Sequence, residues 1–249
     1  MKIYKQPEFY YENNNLTNKQ LAELANCSES TINKSKRELG LTFAMLKDPK
    51  WEYKKLLSIT RESMYWAGFI LADGCLSKED RKVKLSVSSV VSDEAHILKL
   101  KDWLESPNKL YYSKDNCCSF SVYSKKYVPE IMSFWNFTYR KTYNNYEIPD
   151  YILNHEYFKY FLVGLIDGDG SVIKTNPFYR INITQHKSQL EFFNVLQDYL
   201  DNHSRKLQIS DRDNTVSLNI QKPELRNKIK NWYIELGDLP LKRKLSKMI

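Results

Sequence analysis

The sequence predicts an α+β protein built from two pseudo-twofold-related αββαββα units and preceded by a small all-α segment. Three observations predict it: an internal repeat, one order of hydrophobic periodicities in both copies, and a pair of capped helices ahead of the first copy. Glycine exposes the repeat, because the 249-residue chain has only 7 glycines against 18 tyrosines. So sparing a use marks places where backbone comes close to something or takes positive φ. Five of the seven lie in YWAGFILADGCL (65–76) and FLVGLIDGDGSV (161–172). Pairing Gly68 with Gly164 gives an offset of 164 − 68 = 96, which also pairs Asp73 with Asp169, Gly74 with Gly170, Leu85 with Ile181, Leu100 with Leu196 and Ser121 with Ser217. The offset becomes 223 − 129 = 94 at Pro129 and Pro223. Register kept this long implies duplication of one unit.

The elements follow in chain order. Residues 1–45 read as a separate helical domain. Within 16–41, LTNKQLAELANCSESTINKSKRELGL, Thr17 and Gln20 form a capping box, and Leu21, Ala22, Leu24 and Ala25 make an apolar stripe. Asn26 suits a left-handed turn, and Ser28 caps a second helix that turns Ile32 and Leu39 inward. The pattern resembles a helix-turn-helix. Its exposed side, with Glu29, Ser30, Thr31, Asn33, Lys34 and Arg37, suits a DNA major groove. A helical hairpin that only packs on the rest is the alternative. Residues 46–59 are expected to be a linker, 60–150 the first unit and 151–249 the second.

Each unit begins with an apolar helix, 60–71 behind a capping Thr60 and 154–166 behind a capping Asn154. Strands alternating with period two follow at 83–88 and 179–184. Then come helices at 94–104 and 189–200, strand pairs within 110–123 and 207–220, and final helices starting near Pro129 and Pro223, where proline fits a first turn. In the second unit Ile181, Ile183, Leu207, Ile209, Val216, Leu218 and Ile220 are expected to face the core. Their alternates are Arg180, Asn182, Thr184, Lys206, Gln208, Ser210, Ser217, Asn219 and Gln221, with Lys84, Ser86 and Ser88 in the first unit. An open face rich in such donors and poor in acids suits base edges and phosphates better than it suits bulk water alone.

Composition agrees. The 38 Lys+Arg against 30 Asp+Glu leave a net charge of +8, and 42% hydrophobic content excludes a disordered chain. A basic globular protein of this kind points to nucleic acid. No apolar run suits a membrane span or a secretory signal, so no membrane partner is expected. The four cysteines (Cys27, Cys75, Cys117, Cys118) form neither a disulfide framework nor a metal spacing, which fits a reducing cytoplasm. The Met1-Lys2 opening and the Lys247-Met248-Ile249 end carry no intein-like pattern, so a free-standing chain is expected.

The chemistry lies in the paired motif. Gly68-x-x-x-Ala72 and Gly164-x-x-x-Gly168 place small residues four apart on one helix face, which lets two helices approach closely. Asp73 and Asp169 then arrive together at the foot of that interface, each at a helix C-terminus that repels carboxylates. Two acids so placed call for a cation, and hard oxygen ligands suit Mg²⁺ with water and phosphate completing its shell. A single Asp-Gly is ordinary turn chemistry; two at matched repeat positions are not.

WAGFILADG (66–74) and LVGLIDGDG (162–170) resemble the two signature segments of single-chain LAGLIDADG homing endonucleases, a resemblance that runs from residue 60 to the C-terminus. It implies two sheets forming a saddle over duplex DNA, and hydrolysis of both strands of a long, specific target in a divalent-metal-dependent reaction. It implies Asp73 and Asp169 as metal-binding acids, with main-chain carbonyls of Ala72 and Gly168 beside them. Mg²⁺ is the implied ion, with Mn²⁺ able to substitute and Ca²⁺ binding without cleavage. Position six of the motif, Leu71 in one copy and Asp167 in the other, is not a metal ligand in that family. The family's basic residue that polarises the hydrolytic water falls on Lys141 in the first copy and on Lys244 in the second, with Arg243 or Lys242 as alternatives and a solvated basic tail as the bland reading. Gln185 closes a strand near the implied water pocket. The resemblance further implies a monomer linked to intron mobility; a cytoplasmic protein, encoded by bacterial or phage DNA, is expected, with an organellar matrix as the second alternative. An RNA maturase acting on intron RNA and a non-cutting transcription regulator are the two rival readings; retention of both acids counts against the regulator.

Overall fold

The computed structural model describes residues 2–14, 16–41, 50–79, 82–175, 178–203 and 206–249. Three short helices open the chain: α1 (Pro7–Glu12), α2 (Asn18–Leu24) and α3 (Glu29–Glu38). The capping box of Thr17 with Gln20 starts α2, and Ser28 caps α3 by accepting the Thr31 N–H. Asn26 takes φ +49° in the turn between them. Gly40, at φ +66°, ends α3: its N–H donates to Arg37, and the Leu41 N–H reaches back to Lys36. Phe9, Tyr10, Leu21, Ala22, Ile32 and Leu41 form a separate core. Two details differ from the sequence reading. Helix α1, not foreseen, supplies Phe9 and Tyr10 to that core. Leu24 is exposed, because the small core closes over Leu21 and Ala22 and leaves the last turn of α2 outside.

Part of the linker expected at 46–59 lies outside the described residues. The rest is not a free linker, since Trp51 and Leu56 are buried in the core of the repeats and the Leu56 carbonyl accepts the Trp135 Nε1–H at 2.6 Å.

The first unit contains α4 (Arg61–Asp73), β1 (Gly74–Glu79), β2 (Lys82–Val90), α5 (Glu94–Trp103), β3 (Tyr111–Tyr112), β4 (Cys117–Tyr123) and α6 (Tyr127–Trp135). After a short α7 (Asp150–Leu153) the second unit repeats the order: α8 (Phe158–Asp169), β5 (Gly170–Thr175), β6 (Phe178–His186), α9 (Leu190–Tyr199), β7 (Gln208–Ser210), β8 (Thr215–Ile220) and α10 (Pro223–Glu235), followed by α11 (Lys242–Leu245). Both sheets are four-stranded and antiparallel, ordered β1-β2-β4-β3 and β5-β6-β8-β7. The register repeats as well: Gly74 pairs with Val87, and Gly170 with Ile183.

Thr60 starts α4 through a capping box with Ser63. Its expected counterpart does not exist. Asn154 caps the C-terminus of α7, because Pro149 has already opened a helix ahead of it, and α8 starts at Phe158 with Tyr157 before it supplying no side-chain cap. On the sheets Ile181, Ile183, Val216, Leu218 and Ile220 are buried against the helices as expected. Leu207 is half-buried and Ile209 is 54% exposed, since β7 is an edge strand beyond the cover of the helices. No helix among the described residues is long and apolar enough to cross a membrane.

Helices α4 and α8 form the spine between the units. A Cβ on Gly68 would lie 1.9 Å from the Phe161 carbonyl oxygen, and one on Gly164 1.9 Å from that of Tyr65. Such a contact is impossible, so backbone meets backbone there only because both residues are glycine. Gly168 faces Ala72 one turn further on. The motif's last glycines are close-approach positions as well. Gly74 and Gly170 have extended backbone, φ −77° and −84°, so they make no left-handed turn. They are needed because a Cβ would strike the carbonyls of Ile70 and Ile166 in the preceding helical turn.

Candidate active site

Asp73 and Asp169 are the last residues of α4 and α8, so the close approach of the helices brings both carboxylates to one place. Each faces the negative end of a helix dipole. Burial, reinforced by the Asp169 charge, pushes the Asp73 carboxyl up to about 6, partly offset by Lys141, Lys244 and Arg243. Burial raises Asp169 too, but there Gln185 offsets it, its Nε2 donating to Asp169 Oδ2 at 2.5 Å. Asp73 has no side-chain hydrogen bond of this kind among the described residues.

The two lysines fill matching roles. Lys141 Nζ donates to the carbonyls of Ile70 (3.0 Å), Leu71 and Ala72 at the end of α4. Lys244 Nζ donates to Ile166 (2.6 Å) and Asp167 (2.5 Å) at the end of α8 and to Gly170 (2.7 Å), with Gly168 3.5 Å away. Each ammonium thus neutralises a helix C-terminus beside an acid. Burial brings both lysines down to about 8, against the upward pull of the carboxylates. The rivals to Lys244 point elsewhere: Lys242 pairs with Asp238 at 3.1 Å in solvent, and Arg243 makes a forked pair with Asp93.

A cavity of about 140 Å³ opens beside Asp169, lined by Lys141, Gln185, Thr142, His186, Gln189 and the α4 end. Its lining mixes polar with apolar groups, and it is large enough for a few ordered waters. Lys141 from the first unit and Gln185 and Asp169 from the second therefore share one chamber. The sequence reading missed Thr142, His186 and Gln189, whose part depends on a fold that brings residues 141–146 against the end of β6; only the adjacency of His186 to Gln185 hinted at it. The position matching Gln185 in the first unit is Ser89, since 185 − 96 = 89.

Asp167 has no opening to solvent, at 1% exposure, and serves as an anchor. It accepts from Tyr65 (2.6 Å), Tyr233 (2.8 Å) and the Leu241 N–H (2.8 Å), tying α4, α10 and the C-terminal segment together. The one hydroxyl proton of Tyr65 goes to Asp167, so His96 Nε2, 2.9 Å away, donates to the Tyr65 oxygen. Burial pushes the Asp167 carboxyl up to about 6 and the His96 imidazole down to about 3.

Of the residues expected on the DNA face, Ser88, Arg180, Lys206 and Gln208 are exposed, and Lys84, Asn182, Thr184, Ser210, Ser217, Asn219 and Gln221 half-buried. Ser86 is buried and donates to the Cys75 carbonyl, which leaves it little to offer a base. Several of the others hold one another in place, as in Asn219 Nδ2 to Gln208 Oε1 (2.9 Å) and Thr184 with Ser217 (2.8 Å). On α3, Ser30, Asn33, Lys34 and Arg37 are exposed and Thr31 half-buried. Ser30 and Thr31 share the Ser28 hydroxyl, and Asn33 accepts from Asn18 at 2.7 Å. Among the described residues no cluster of three or more His, Cys, Asp or Glu could hold a metal. The acids at the site number two.

No protein-family model and no curated protein matches the chain. Solved structures do. The chain is similar to the I-LtrWI LAGLIDADG homing endonuclease bound to target DNA, with 11% identity, a TM-score of 0.52, and coverage of 78% of this chain and 87% of that one. It is similar to I-SmaMI bound to uncleaved DNA target in the presence of calcium ions, with 15% identity, a TM-score of 0.51, and coverage of 74% and 87%. A variant of I-SmaMI with two lysines replaced by alanine matches at 13% identity and a TM-score of 0.51, with coverage of 74% and 86%. At such identities the likeness carries the fold, and the fold is that of the LAGLIDADG homing endonucleases.

Proposed function

We propose that this chain, which has the LAGLIDADG fold, is a site-specific DNA endonuclease that hydrolyses both strands of a long duplex target. The observation that carries the reading is the convergence of Asp73 and Asp169 at two helix ends, each end faced by a lysine. Nothing in core packing requires two acids with raised proton affinity there. The donor set fits a hard divalent cation: two carboxylate ligands, with the Gly168 carbonyl freer than that of Ala72, which Lys141 holds. Mg²⁺ bound to Asp73 and Asp169 would supply Lewis-acid stabilisation of phosphodiester oxygens and an acidified water. The chain's own groups do the rest. Gln185 fixes the orientation of the Asp169 carboxylate. Lys141, brought to about 8 by burial, keeps its positive charge beside the chamber, and exchanging one of its three carbonyl partners would let Nζ donate to a water or a phosphate oxygen there.

The DNA-bound states of the structural neighbours and the basic, acid-poor face of the second sheet support a double-stranded DNA partner. We take the protein to act as a monomer, since one chain carries both centres, and the helix-turn-helix to extend the contact.

The test is direct. Purified protein with Mg²⁺ is offered a randomised duplex library, and the cut products are sequenced. Wild type is expected to yield one long consensus cut on both strands, while Asp73→Asn or Asp169→Asn binds the recovered duplex and leaves it intact. Wild-type protein that selects and binds one duplex from the library, yet cuts none with any divalent cation, would sink the nuclease reading in favour of the regulator.

A further inference from the structure

Each lysine at a motif helix end rides on a strap of chain that follows the last helix of its own unit, and each strap is held by the opposite unit. Gln189 lies just ahead of α9 in the second unit and is 5% exposed. Its Nε2 donates to the carbonyls of Lys141 (2.8 Å) and Asn144 (2.6 Å), and its Oε1 accepts the Tyr146 N–H at 2.8 Å. Asp93 lies just ahead of α5 in the first unit and is likewise 5% exposed. Its carboxylate takes Nε of Arg243 at 2.9 Å and Nη2 at 2.7 Å, and Arg243 is the neighbour of Lys244. The two latch residues occupy one position of the repeat, since 189 − 93 = 96. Further contacts cross over in the same sense. Lys99 of α5 donates to the carbonyls of Asp238 and Leu239, and the Phe192 N–H of α9 donates to Asn145 Oδ1 at 3.1 Å.

We infer that Gln189 and Asp93 are equivalent positioning residues, each setting the lysine that the opposite unit contributes. The straps contain no more than a single helical turn around each lysine, so their own secondary structure does not define where the ammonium lies. Apolar contact alone would tolerate sliding. A buried polar group with its hydrogen bonds made to the strap does not. The latches differ in kind: an amide reads main chain directly, whereas a carboxylate acts through a guanidinium fork. Each can therefore be loosened without touching the other.

Amine-selective labelling of the DNA-free protein, read lysine by lysine with mass spectrometry, tests the inference without reference to activity. Asp93→Asn and Arg243→Gln address two ends of one latch, and Arg243, with its side chain 49% exposed, is the end least costly to the fold. Both are expected to speed labelling of Lys244 by roughly tenfold through local opening, leaving Lys141 unchanged, and Gln189→Leu to do the reverse. Equal exposure of both lysines in every variant, or protection unchanged in all, overturns the proposal. A second arm rests on the nuclease reading. On a duplex that wild type cuts through both strands, Asp93→Asn is expected to slow one strand and Gln189→Leu the other, each by roughly 100-fold for a displacement near 1 Å. Equal slowing of both strands by each variant overturns the latch roles. Wild-type protein that cuts nothing overturns the nuclease reading instead, and the labelling outcome stands apart from it.

Discussion

At the scale of the residue, the cost of Asp73 yields a stability prediction. Its carboxyl titrates in the folded protein at about 6 instead of 3.8, so the folded state binds that proton more tightly than the unfolded chain. The penalty of the buried charge is fully present above pH 6 and is relieved as the pH falls toward 4. Asp73→Asn is expected to stabilise the metal-free protein at pH 7.5 by up to about 3 kcal/mol, since each tenfold gain in proton affinity is worth about 1.36 kcal/mol, and to lose that advantage near pH 4. Denaturant melts at the two pH values check this; a difference independent of pH would refute it. Millimolar Mg²⁺ should raise the melting temperature of wild type, because the ion binds the folded state alone, and should leave the Asp73→Asn, Asp169→Asn double variant unmoved in a thermal-shift assay. Both acids and Lys141 are legible in the repeat and the family pattern. Lys244 is the first choice in the sequence but shares it with Arg243 and Lys242, because the spacing of the lysines, 244 − 141 = 103, breaks the offset of 96 and leaves three adjacent basic residues in contention. In the fold Arg243 goes to Asp93 and Lys242 to solvent, and Lys244 alone of the three meets the end of α8.

At the scale of the element, the α4–α8 spine separates two uses of glycine. Gly68→Ala or Gly164→Ala would drive a methyl to 1.9 Å from a carbonyl oxygen of the facing helix. The helices would have to part, at a cost of about 3 kcal/mol or more, and the acids at their ends would move apart with them. Gly40→Ala and Gly237→Ala meet open space, so only their positive φ of +66° and +61° resists, at about 1 kcal/mol. Chemical denaturation of the four variants checks the ranking. The strands and the αββαββα order are legible because period-two and helical patterns alternate cleanly in both copies. Asn154 misleads because a capping residue looks the same at either end of a helix, and only Pro149 upstream betrays the short α7. Ile209 misleads because alternation reports the side of a strand and says nothing about whether a helix covers it.

At the scale of the whole molecule, the N-terminal domain has its own core and touches the repeats through Lys126, whose Nζ lies 4.2 Å from the centre of the Tyr11 ring. Deleting residues 1–45 is expected to weaken duplex binding and flatten its salt dependence, by about 0.9 in logarithmic slope for each phosphate no longer neutralised. Fluorescence anisotropy across a salt series measures both; an unchanged slope would leave the domain a packing role. The latches are invisible in the sequence because they join Asp93 to Arg243 and Gln189 to Lys141 across long stretches of chain, with no pattern linking the partners. The duplication itself carries a last consequence. A Cβ on Gly168 would lie 2.2 Å from that of Ala72, so this level of the spine has room for one methyl group. Two copies of the first unit would bring two methyls together, and two copies of the second would leave a hole. Expressed as separate chains parted between 149 and 150, the halves should therefore choose each other over themselves, a preference native mass spectrometry can count. The gene still displays its ancestry as a twin, yet its product has become a mating pair that can no longer be replaced by two of either sex.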